Sequence, residues 1–183
     1  MKKISITNFI SRIRGEVSIN ELINRGLIIG NNFKCLNQVI IDDSHPWLIE
    51  IGDDVTLAPR VHILAHDAST KAFLGYTKIG QVKIGNRVFI GAGTVILPGI
   101  TIGNDVIVGA NSTVTHDILD GMVVAGCPAK VISTTEKYLE KEKKRMEIAP
   151  CYGEEFTMRG NISEERKQQQ RDDLVNGQIG YVD

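Results

Sequence analysis

The chain has 183 residues, which suits one domain with an appendage, and its 42% hydrophobic and 23% charged residues are ordinary for a globular protein. Aromatic residues make up only 5% while glycine occurs 18 times, which disfavours a core of large rings and favours many tight corners. The formal net charge of −1 gives no electrostatic reason to expect a nucleic acid or an acidic membrane surface as a partner.

We expect neither a secretion signal nor a membrane span in the first residues. The Met1–Lys3 start resembles a signal peptide, but Arg12 and Arg14 interrupt the apolar stretch that follows. No apolar run approaches the roughly 20 residues of a membrane-spanning helix. The three cysteines are odd in number and lack metal-ligand spacing, which is typical of reduced thiols. These features predict a cytoplasmic protein.

A six-residue pattern begins weakly near Ile29. The segments 29–34, 35–40 and 41–43 look like degenerate copies of a unit whose clear copies start further along the chain. We expect residues 13–28 to begin the repeat architecture and the preceding dozen to cap its open end. Repeat arrays need such caps because a terminal repeat exposes unpaired strand edges.

The six-residue pattern becomes clear at Ile51. In eight units the first position is aliphatic, the second is usually Gly or Ala, and the fifth is small or β-branched. The units read IGDDVT, LAPRVH, IGNRVF, IGAGTV, ILPGIT, IGNDVI, VGANST and VTHDIL. A period of six fits neither an amphipathic helix nor simple strand alternation. It does fit one short strand plus a corner, and three such sides would form one coil of a parallel β-helix with the first-position side chains stacked inside.

The six-residue phase is lost between Ile63 and Ile84. We interpret this 21-residue interval as a full coil of eighteen residues plus three, with a loop over about residues 67–81 leaving the β-helix. Loops on rigid scaffolds often carry function, and His66 stands where this loop departs. A neutral imidazole is the usual general base for acyl transfer to a hydroxyl group. On spacing alone, a surface histidine without a role explains His66 equally well. The other histidines are more simply explained as structural or surface residues: His45, His62 and His116.

The repeat ends before a tail of helical and irregular character, residues 133–183. Ser133–Glu136 reads as a capping box, which predicts a charged helix continuing to about Met146. Residues 163–176 form a second helix candidate, and its strong polarity leaves it little core to join. We therefore divide the chain into a β-helix domain over residues 1–132 and the extension that follows it.

Three motifs resemble those of the hexapeptide-repeat O-acetyltransferases, the family that includes maltose, galactoside and streptogramin acetyltransferases. They are IGDDVTLAPRVHIL ahead of His66, VKIGNRVFIGAGTVILPGITIGNDVIVGANSTVTHDI, and the closing AGCPAKVI. The resemblance implies a mainly β fold: a left-handed parallel β-helix with a protruding catalytic loop. It also implies a homotrimer with active sites in the grooves between subunits. In this comparison, His66 matches the catalytic histidine of the family.

The resemblance further implies acetyl-CoA as cosubstrate, with the CoA arm lying along the β-helix. By motif, Ala92 in FIGAG, Ala110 in VGANS and Thr115 would line its path. Lys130 in CPAK would meet a CoA phosphate. At each of these positions, a residue that simply fits the coil would be of the same type. No metal is expected.

The acceptor side departs from the galactoside enzymes. Their active-site asparagine falls at Cys35, and Asn37 lies two positions away. The acidic pair ending at Asp43 matches a pair of which one member contacts the sugar, but two extra residues follow in the His45–Trp47 stretch. We take Asn37 and Asp43 as candidate acceptor-binding residues. The HDAST segment and the GCPAK ending resemble enzymes that decorate capsule, O-antigen or other surface-polysaccharide precursors.

These motifs predict an acetyl-CoA-dependent O-acetyltransferase acting on a sugar hydroxyl, and several alternatives stay open. One is a streptogramin-type antibiotic acetyltransferase, and another is a non-enzymatic β-helix scaffold, which would not bind CoA. A γ-type carbonic anhydrase needs three histidines around zinc, and the four histidines here lack that spacing. Serine acetyltransferases carry a helical N-terminal domain and different loop motifs, both absent from this sequence.

Overall fold

The computed structural model describes residues 17–183, so the predicted cap over the first dozen residues and the start of the predicted 13–28 segment lie outside the described residues. The chain divides into two compact units, one ending at Thr135 and the other running from Glu136 to Asp183. The described part of the first unit begins with the short helix α1 (Ile19–Asn24), whose N-cap is Ser18. Its strands, in chain order, are β1 (Ile28–Ile29), β2 (Lys34–Cys35), β3 (Ile40–Ile41), β4 (Ile49–Ile51), β5 (Thr56–Leu57), β6 (His62–Ile63), β7 (His66–Asp67), β8 (Lys78–Ile79), β9 (Val82–Ile84), β10 (Phe89–Ile90), β11 (Val95–Ile96), β12 (Thr101–Ile102), β13 (Ile107–Val108), β14 (Thr113–Val114), β15 (Met122–Ala125) and β16 (Lys130–Thr134).

Three parallel sheets form the sides of the first unit. The first sheet has the order β1-β4-β9-β12, the second β2-β5-β10-β13-β15, and the third β3-β6-β11-β14. Apart from the β7–β8 pair, successive strands up to β14 belong to the first, second and third sheet in turn. The chain therefore winds as a three-sided parallel β-helix. The last strand, β16, turns back and pairs antiparallel with β15, which ends the coil.

One coil spans eighteen residues, as the six-residue units predict. Ile90 pairs with Val108, and Ile96 pairs with Val114. A Cβ atom at Gly91 would lie 2.5 Å from the backbone nitrogen of Ala110 in the next coil, which explains why the second position is small. The side chains at the first and fifth positions are buried: Ile51, Leu57, Ile63, Ile84, Ile90, Ile96, Ile102, Val108 and Val114, with Val55, Val61, Val88, Thr94, Ile100, Val106, Ser112 and Ile118.

The register corrects the predicted spacing at the loop. Ile63 pairs with Ile96, and Ile51 pairs with Ile84, so Ile63 and Ile84 begin adjacent six-residue units on neighbouring sides. The 21-residue interval is therefore one six-residue step with fifteen inserted residues, and the prediction of a full coil plus three was wrong. A residue count alone could not distinguish these arrangements, because both shift the phase of the repeat by the same three residues.

The inserted segment is an ordered excursion. Its two ends, β7 and β8, pair antiparallel, with a 3-10 turn (Ala68–Thr70) and the short helix α2 (Lys71–Leu74) between them. The Asp67 carboxylate accepts a hydrogen bond from the Ser69 backbone N–H at 2.8 Å, which fixes the first turn. This hairpin holds the residue at its base, His66, against the β-helix.

A second insertion lies one coil earlier. Ile41 pairs with Ile63, which lies 22 positions further along the chain, four more than one coil. The additional length is taken up around a 3-10 turn over Pro46–Leu48. Both insertions leave the β-helix just after strands of the third sheet, so they lie in adjacent coils on the same side.

The second unit contains most of helix α3 (Thr135–Met146), strand β17 (Cys151–Tyr152), helix α4 (Glu164–Asp173) and strand β18 (Tyr181–Val182). The two strands pair in parallel. Ser163 caps α4 by accepting a hydrogen bond from the Arg166 N–H. Across residues 17–183, the helices are too short and too polar to cross a bilayer.

The predicted capping box at Ser133 is not formed. Ser133 pairs with Val123 in the antiparallel β15–β16 ladder, so the chain is still extended where the helix was expected to begin. Helix α3 starts at Thr135, whose hydroxyl donates to the Asp105 carbonyl at 2.7 Å. The strand pairing overrode the local capping signal because it satisfies several backbone groups at once.

Candidate active site

The base of the inserted hairpin brings a histidine and an aspartate together. The Nδ1 atom of His66 lies 2.5 Å from Oδ2 of Asp42, although the two residues are 24 positions apart in sequence. Asp42 directly follows β3, His66 is the third residue after β6, and these strands stack in adjacent coils. The pairing therefore results from the register of the β-helix together with the departure of the loop.

Asp42 is buried, with 4% of its surface exposed, and its carboxylate is fully hydrogen bonded. Oδ2 also accepts the Ala65 backbone N–H at 2.8 Å, while Oδ1 accepts the N–H groups of Ser44 and His45 at 3.0 and 3.1 Å. Burial raises the pKa of Asp42, but the hydrogen bonds from the Ala65 amide and His66 are among those that outweigh it, and the pKa lies below its ordinary value. Asp42 is therefore an ionised acceptor at neutral pH.

An ionised Asp42 determines the tautomer of His66. A carboxylate can only accept hydrogen bonds, so we assign the proton on the His66 ring to Nδ1, which donates to Asp42. The other ring nitrogen, Nε2, then keeps a free lone pair. The side chain of His66 is 36% exposed, so the ring can meet a reactant from solvent while its inner edge is held. This arrangement provides an oriented proton acceptor.

The short insertion before β4 places the His45 ring beside His66 and the Trp47 ring beside His45. The His45 ring centroid lies 5.5 Å from that of His66, and the Trp47 ring lies 5.3 Å from that of His45. Trp47 is 57% exposed, whereas the Nδ1 atom of His45 is buried and has no hydrogen-bond partner within residues 17–183. The exposed indole is therefore separated from the oriented base by one ring, that of His45.

The far side of the hairpin is held by an ion pair. Lys78 on β8 contacts the Asp67 carboxylate at 2.5 Å, and this pairing holds the pKa of Asp67 well below its usual range. The Gly80 N–H donates to the Ala65 carbonyl at 3.0 Å, which ties the returning chain to the coil. Both contacts fix the backbone on either side of His66.

The residues predicted for CoA binding lie on other parts of the same β-helix. Ala92 and Ala110 occupy corners after β10 and β13 in successive coils, where the Asn111 N–H donates to the Ala92 carbonyl at 2.8 Å. Thr115 follows β14 on the third sheet, and its hydroxyl contacts Nδ1 of His116 at 2.8 Å. Lys130 is exposed on β16, opposite Ala125. Within a single chain, Ala92 and Ala110 stack on one corner while His66 leaves the coil at another.

The two predicted acceptor residues are both exposed, and the hydrogen bond and ion pair of the His66 ring go to Asp42 rather than to either of them. Asn37 lies at the corner between β2 and β3, and its carbonyl accepts the Arg60 N–H. Asp43 is exposed, unlike its buried neighbour Asp42, and its carbonyl accepts a hydrogen bond from the Arg25 guanidinium at 3.4 Å.

Sequence reasoning did not place Asp42 or His45 next to His66, where the structure has them. The signal for Asp42 was its phase: it fills the second position of the unit starting at Ile41, where Gly or Ala usually stands. A carboxylate at that position must reach towards the next coil and find donors there. For His45 there was no comparable signal, because the four-residue insertion removes it from the repeat.

Donor atoms of Asp42, His45 and His66 all lie within 4.8 Å of one another, and this is the one such group of three His, Cys, Asp or Glu side chains in the described part of the chain. The three-histidine arrangement of a γ-type carbonic anhydrase is not formed within residues 17–183, because His62 and His116 stand outside this group.

Comparisons with known proteins agree with the repeat and the coil. The model of the family "Bacterial transferase hexapeptide (six repeats)" matches residues 81–116. The chain is 35% identical over 174 residues to Protein CapG of Staphylococcus aureus, covering 91% of this chain and 92% of that protein. It is 40% identical over 111 residues to the galactoside O-acetyltransferase of Escherichia coli K12, covering 57% of this chain and 52% of the relative.

Two solved structures are similar to the β-helix. A maltose O-acetyltransferase from Clostridium difficile 630 superposes with a TM-score of 0.56 at 42% identity, covering 60% of this chain and 59% of that one. A galactoside acetyltransferase in complex with coenzyme A gives a TM-score of 0.56 at 34% identity, covering 63% and 58%. The chain thus spans about three fifths of the length of these two structures.

Proposed function

Because this chain belongs to the hexapeptide-repeat acetyltransferase family, we propose that it transfers an acetyl group from acetyl-CoA to a hydroxyl group of a sugar acceptor, with His66 as the general base. The single observation that supports this role most directly is the hydrogen bond between His66 Nδ1 and the buried Asp42 carboxylate. It turns Nε2 outward as an oriented proton acceptor. A surface histidine without a role would have no need of a buried anionic partner.

In the proposed reaction, Nε2 of His66 removes the proton from the acceptor hydroxyl as its oxygen attacks the thioester carbonyl carbon. The carbon–sulfur bond then breaks, and the CoA sulfur leaves with the proton that His66 received. Asp42 stabilises the positive imidazolium formed between these two proton transfers. The acetyl group ends on the acceptor oxygen, and His66 returns to its starting tautomer.

A sugar acceptor is supported by the surroundings of His66. The exposed indole of Trp47 offers a flat apolar face, against which the C–H groups of a sugar ring can pack. Asp43 and Asn37 are exposed polar groups in the same coil and could accept or donate hydrogen bonds to sugar hydroxyls. The relatives named for galactoside and maltose are O-acetyltransferases of sugars. We infer that the acceptor is a precursor of a capsule, O-antigen or other surface polysaccharide.

We infer that acetyl-CoA is the donor and that Ala92, Ala110, Thr115 and Lys130 contact it. The small side chains of the two alanines leave the corner open for a thin chain such as pantetheine. Lys130 is exposed and positively charged, as a partner for a CoA phosphate should be. The similarity to a galactoside acetyltransferase solved with coenzyme A supports this donor.

We further infer that the coil is left-handed and that three copies assemble in parallel, as is typical of this family. Trimer formation would bring the corner with Ala92 and Ala110 of one subunit towards the His66 hairpin of another. This accounts for the separation of the predicted donor residues from His66 within one chain.

The proposal is tested by measuring the release of CoA thiol from acetyl-CoA. The acceptors offered are a panel of sugars, nucleotide sugars and a streptogramin. We expect release that depends on a sugar or nucleotide sugar, and mass spectrometry should find the acceptor heavier by one acetyl group. A streptogramin as the sole acceptor would overturn the sugar assignment. Failure to bind CoA by calorimetry would overturn the enzymatic role and favour a scaffold.

A further inference from the structure

We propose that Asp42, His45 and His66 bind a divalent transition-metal ion of the zinc class, and that this ion switches off His66 as a base. The donor set consists of two imidazoles and one carboxylate, which are ligands that zinc accepts. One donor atom from each side chain lies within 4.8 Å of the others. The ion is an inhibitor in this proposal, since the acetyl transfer described above needs no metal.

The geometry requires only small movements. Zinc binds nitrogen and oxygen ligands at about 2.0–2.2 Å, so tetrahedral neighbours lie about 3.4 Å apart. The closest pair, His66 Nδ1 and Asp42 Oδ2, is now 2.5 Å apart and would have to open by about 0.9 Å to admit an ion with such bond lengths. His45 would close in by at most about 1.4 Å, from within 4.8 Å to about 3.4 Å, through rotation of its side chain. The His66 side chain is 36% exposed, so its ring has solvent on its outer side into which it can shift.

His45 supplies the strongest reason to expect a ligand. Its Nδ1 atom is buried without a hydrogen-bond partner in the described residues, although buried polar atoms are nearly always paired. Its backbone N–H is bound by Asp42 Oδ1 at 3.1 Å, and Pro46 begins the 3-10 turn that follows it. The ring is therefore held beside His66 by its own backbone, with one polar atom still unsatisfied.

A metal on Nδ1 of His66 would remove the base without any change in its charge. A neutral imidazole carries one proton, so coordination at Nδ1 moves that proton to Nε2 through solvent. Nε2 then has no free lone pair to accept a proton from the acceptor. This step rests on the proposed function, whereas binding of the ion does not.

Titration of the full-length chain with Zn²⁺ by calorimetry tests the binding. All three cysteines should first be replaced by serine, because exposed thiols also bind zinc. We expect one ion per chain, and His45→Gln should weaken binding by at least about a hundredfold, since loss of even an outer-shell partner costs 10–100-fold. His45→Gln keeps the backbone N–H that Asp42 accepts. His62→Gln is the matched control and should bind zinc like the parent.

The tryptophan provides an independent readout. Trp47 is the only tryptophan in the sequence, and its ring lies 5.3 Å from that of His45. Cu²⁺ should therefore quench the fluorescence of the parent saturably and that of His45→Gln much more weakly at the same concentration. Absence of binding, or equal binding by parent and His45→Gln, would overturn the metal site.

Acetyl transfer measured with and without Zn²⁺ tests the switch. Because zinc also binds the thiol of released CoA, the acetylated product is quantified by mass spectrometry after the zinc has been chelated. We expect zinc to inhibit the parent and His62→Gln but to leave His45→Gln active. Binding without inhibition, or activation by zinc, would overturn the switch. The protein could also transfer no acetyl group when it is free of metal and yet bind zinc when the ion is added. That result would refute the proposed function and leave the metal site standing.

Discussion

Asp42 decides which nitrogen of His66 is available for chemistry. It is buried, ionised and bonded to three backbone N–H groups as well as to the imidazole. The backbone donors hold the carboxylate in place, and the carboxylate in turn holds the ring. His66 is therefore oriented by the coil beneath it rather than by the hairpin alone.

Replacing Asp42 by Asn should lower turnover about 10²–10⁴-fold, because an amide can present its NH₂ group to Nδ1 and favour the wrong tautomer. Steady-state kinetics should show the loss in kcat, with little change in the KM for acetyl-CoA. Asp43→Asn removes an equal charge from the adjacent, exposed position; a lost contact to the acceptor there should raise the KM for the acceptor, whereas kcat should stay within a few-fold of the parent. Equal losses in the two variants would contradict the role of Asp42.

The lowered pKa of Asp42 also predicts a pH-dependent contribution to stability. A carboxyl group with a lower pKa in the folded state stabilises the fold above its unfolded pKa of about 3.9, and this contribution is lost as the pH falls through the folded value. The difference in the free energy of unfolding between the parent and Asp42→Asn should therefore shrink below about pH 4. Urea unfolding between pH 2.5 and 7 would measure it. A difference independent of pH would contradict the ionised, hydrogen-bonded state.

Sequence reasoning at the residue scale singled out His66 from its position where the loop departs, and its catalytic role stays a prediction. It proposed Asp43 as an acceptor-binding residue and gave no role to Asp42, the member of the acidic pair that contacts His66. The choice required knowing which coil faces His66, and that depends on the exact length of an insertion. His45 was missed for the same reason.

At the scale of elements, the hexapeptide unit predicts the three-sided coil almost completely. The aliphatic first positions and the compact fifth positions are buried as expected. Thr94 and Ser112 are buried polar exceptions, and each donates its hydroxyl to the Gly109 carbonyl. What the repeat could not reveal was the length of each excursion and the antiparallel return of β16, because these segments lie outside the periodic pattern.

The stacked core predicts a clear contrast between neighbouring positions on one strand. Ile102 is 1% exposed inside the coil, whereas Thr101 faces outward. Ile102→Ala should lower the free energy of unfolding by about 2–5 kcal/mol through lost burial and a cavity, and Thr101→Ala by less than about 1 kcal/mol. Chemical denaturation monitored by circular dichroism would test this. Similar losses in both variants would contradict the inward stacking of the first positions.

At the scale of the whole molecule, family membership rests on the similarity to Protein CapG over nearly the full length of both chains. The tail, residues 136–183, forms a compact unit of its own, with strands and helices that the polar sequence only partly predicted. Its β17–β18 pairing joins segments about thirty residues apart, and no periodic pattern marks such a pairing in advance.

We predict a homotrimer of about 61 kDa from the 20.2-kDa chain. Light scattering coupled to size-exclusion chromatography would measure this mass directly. The trimer should persist in Asp42→Asn, because the carboxylate is buried within one chain. A monomer of full activity would contradict the inference that donor and base meet between subunits.

The central claim is that His66 is the general base of an acetyl transfer, and comparing His66→Ala with His62→Ala tests it most directly. His62 lies four residues earlier on β6, outside the Asp42 pairing, and so controls for loss of an imidazole from the same face of the coil. Acetyl-CoA-dependent acetylation of the acceptor should fall about 10²–10⁴-fold in His66→Ala, whereas CoA binding and oligomeric mass should not change. In His62→Ala the rate should stay near that of the parent. Activity near the parent rate in His66→Ala would remove His66 from the mechanism.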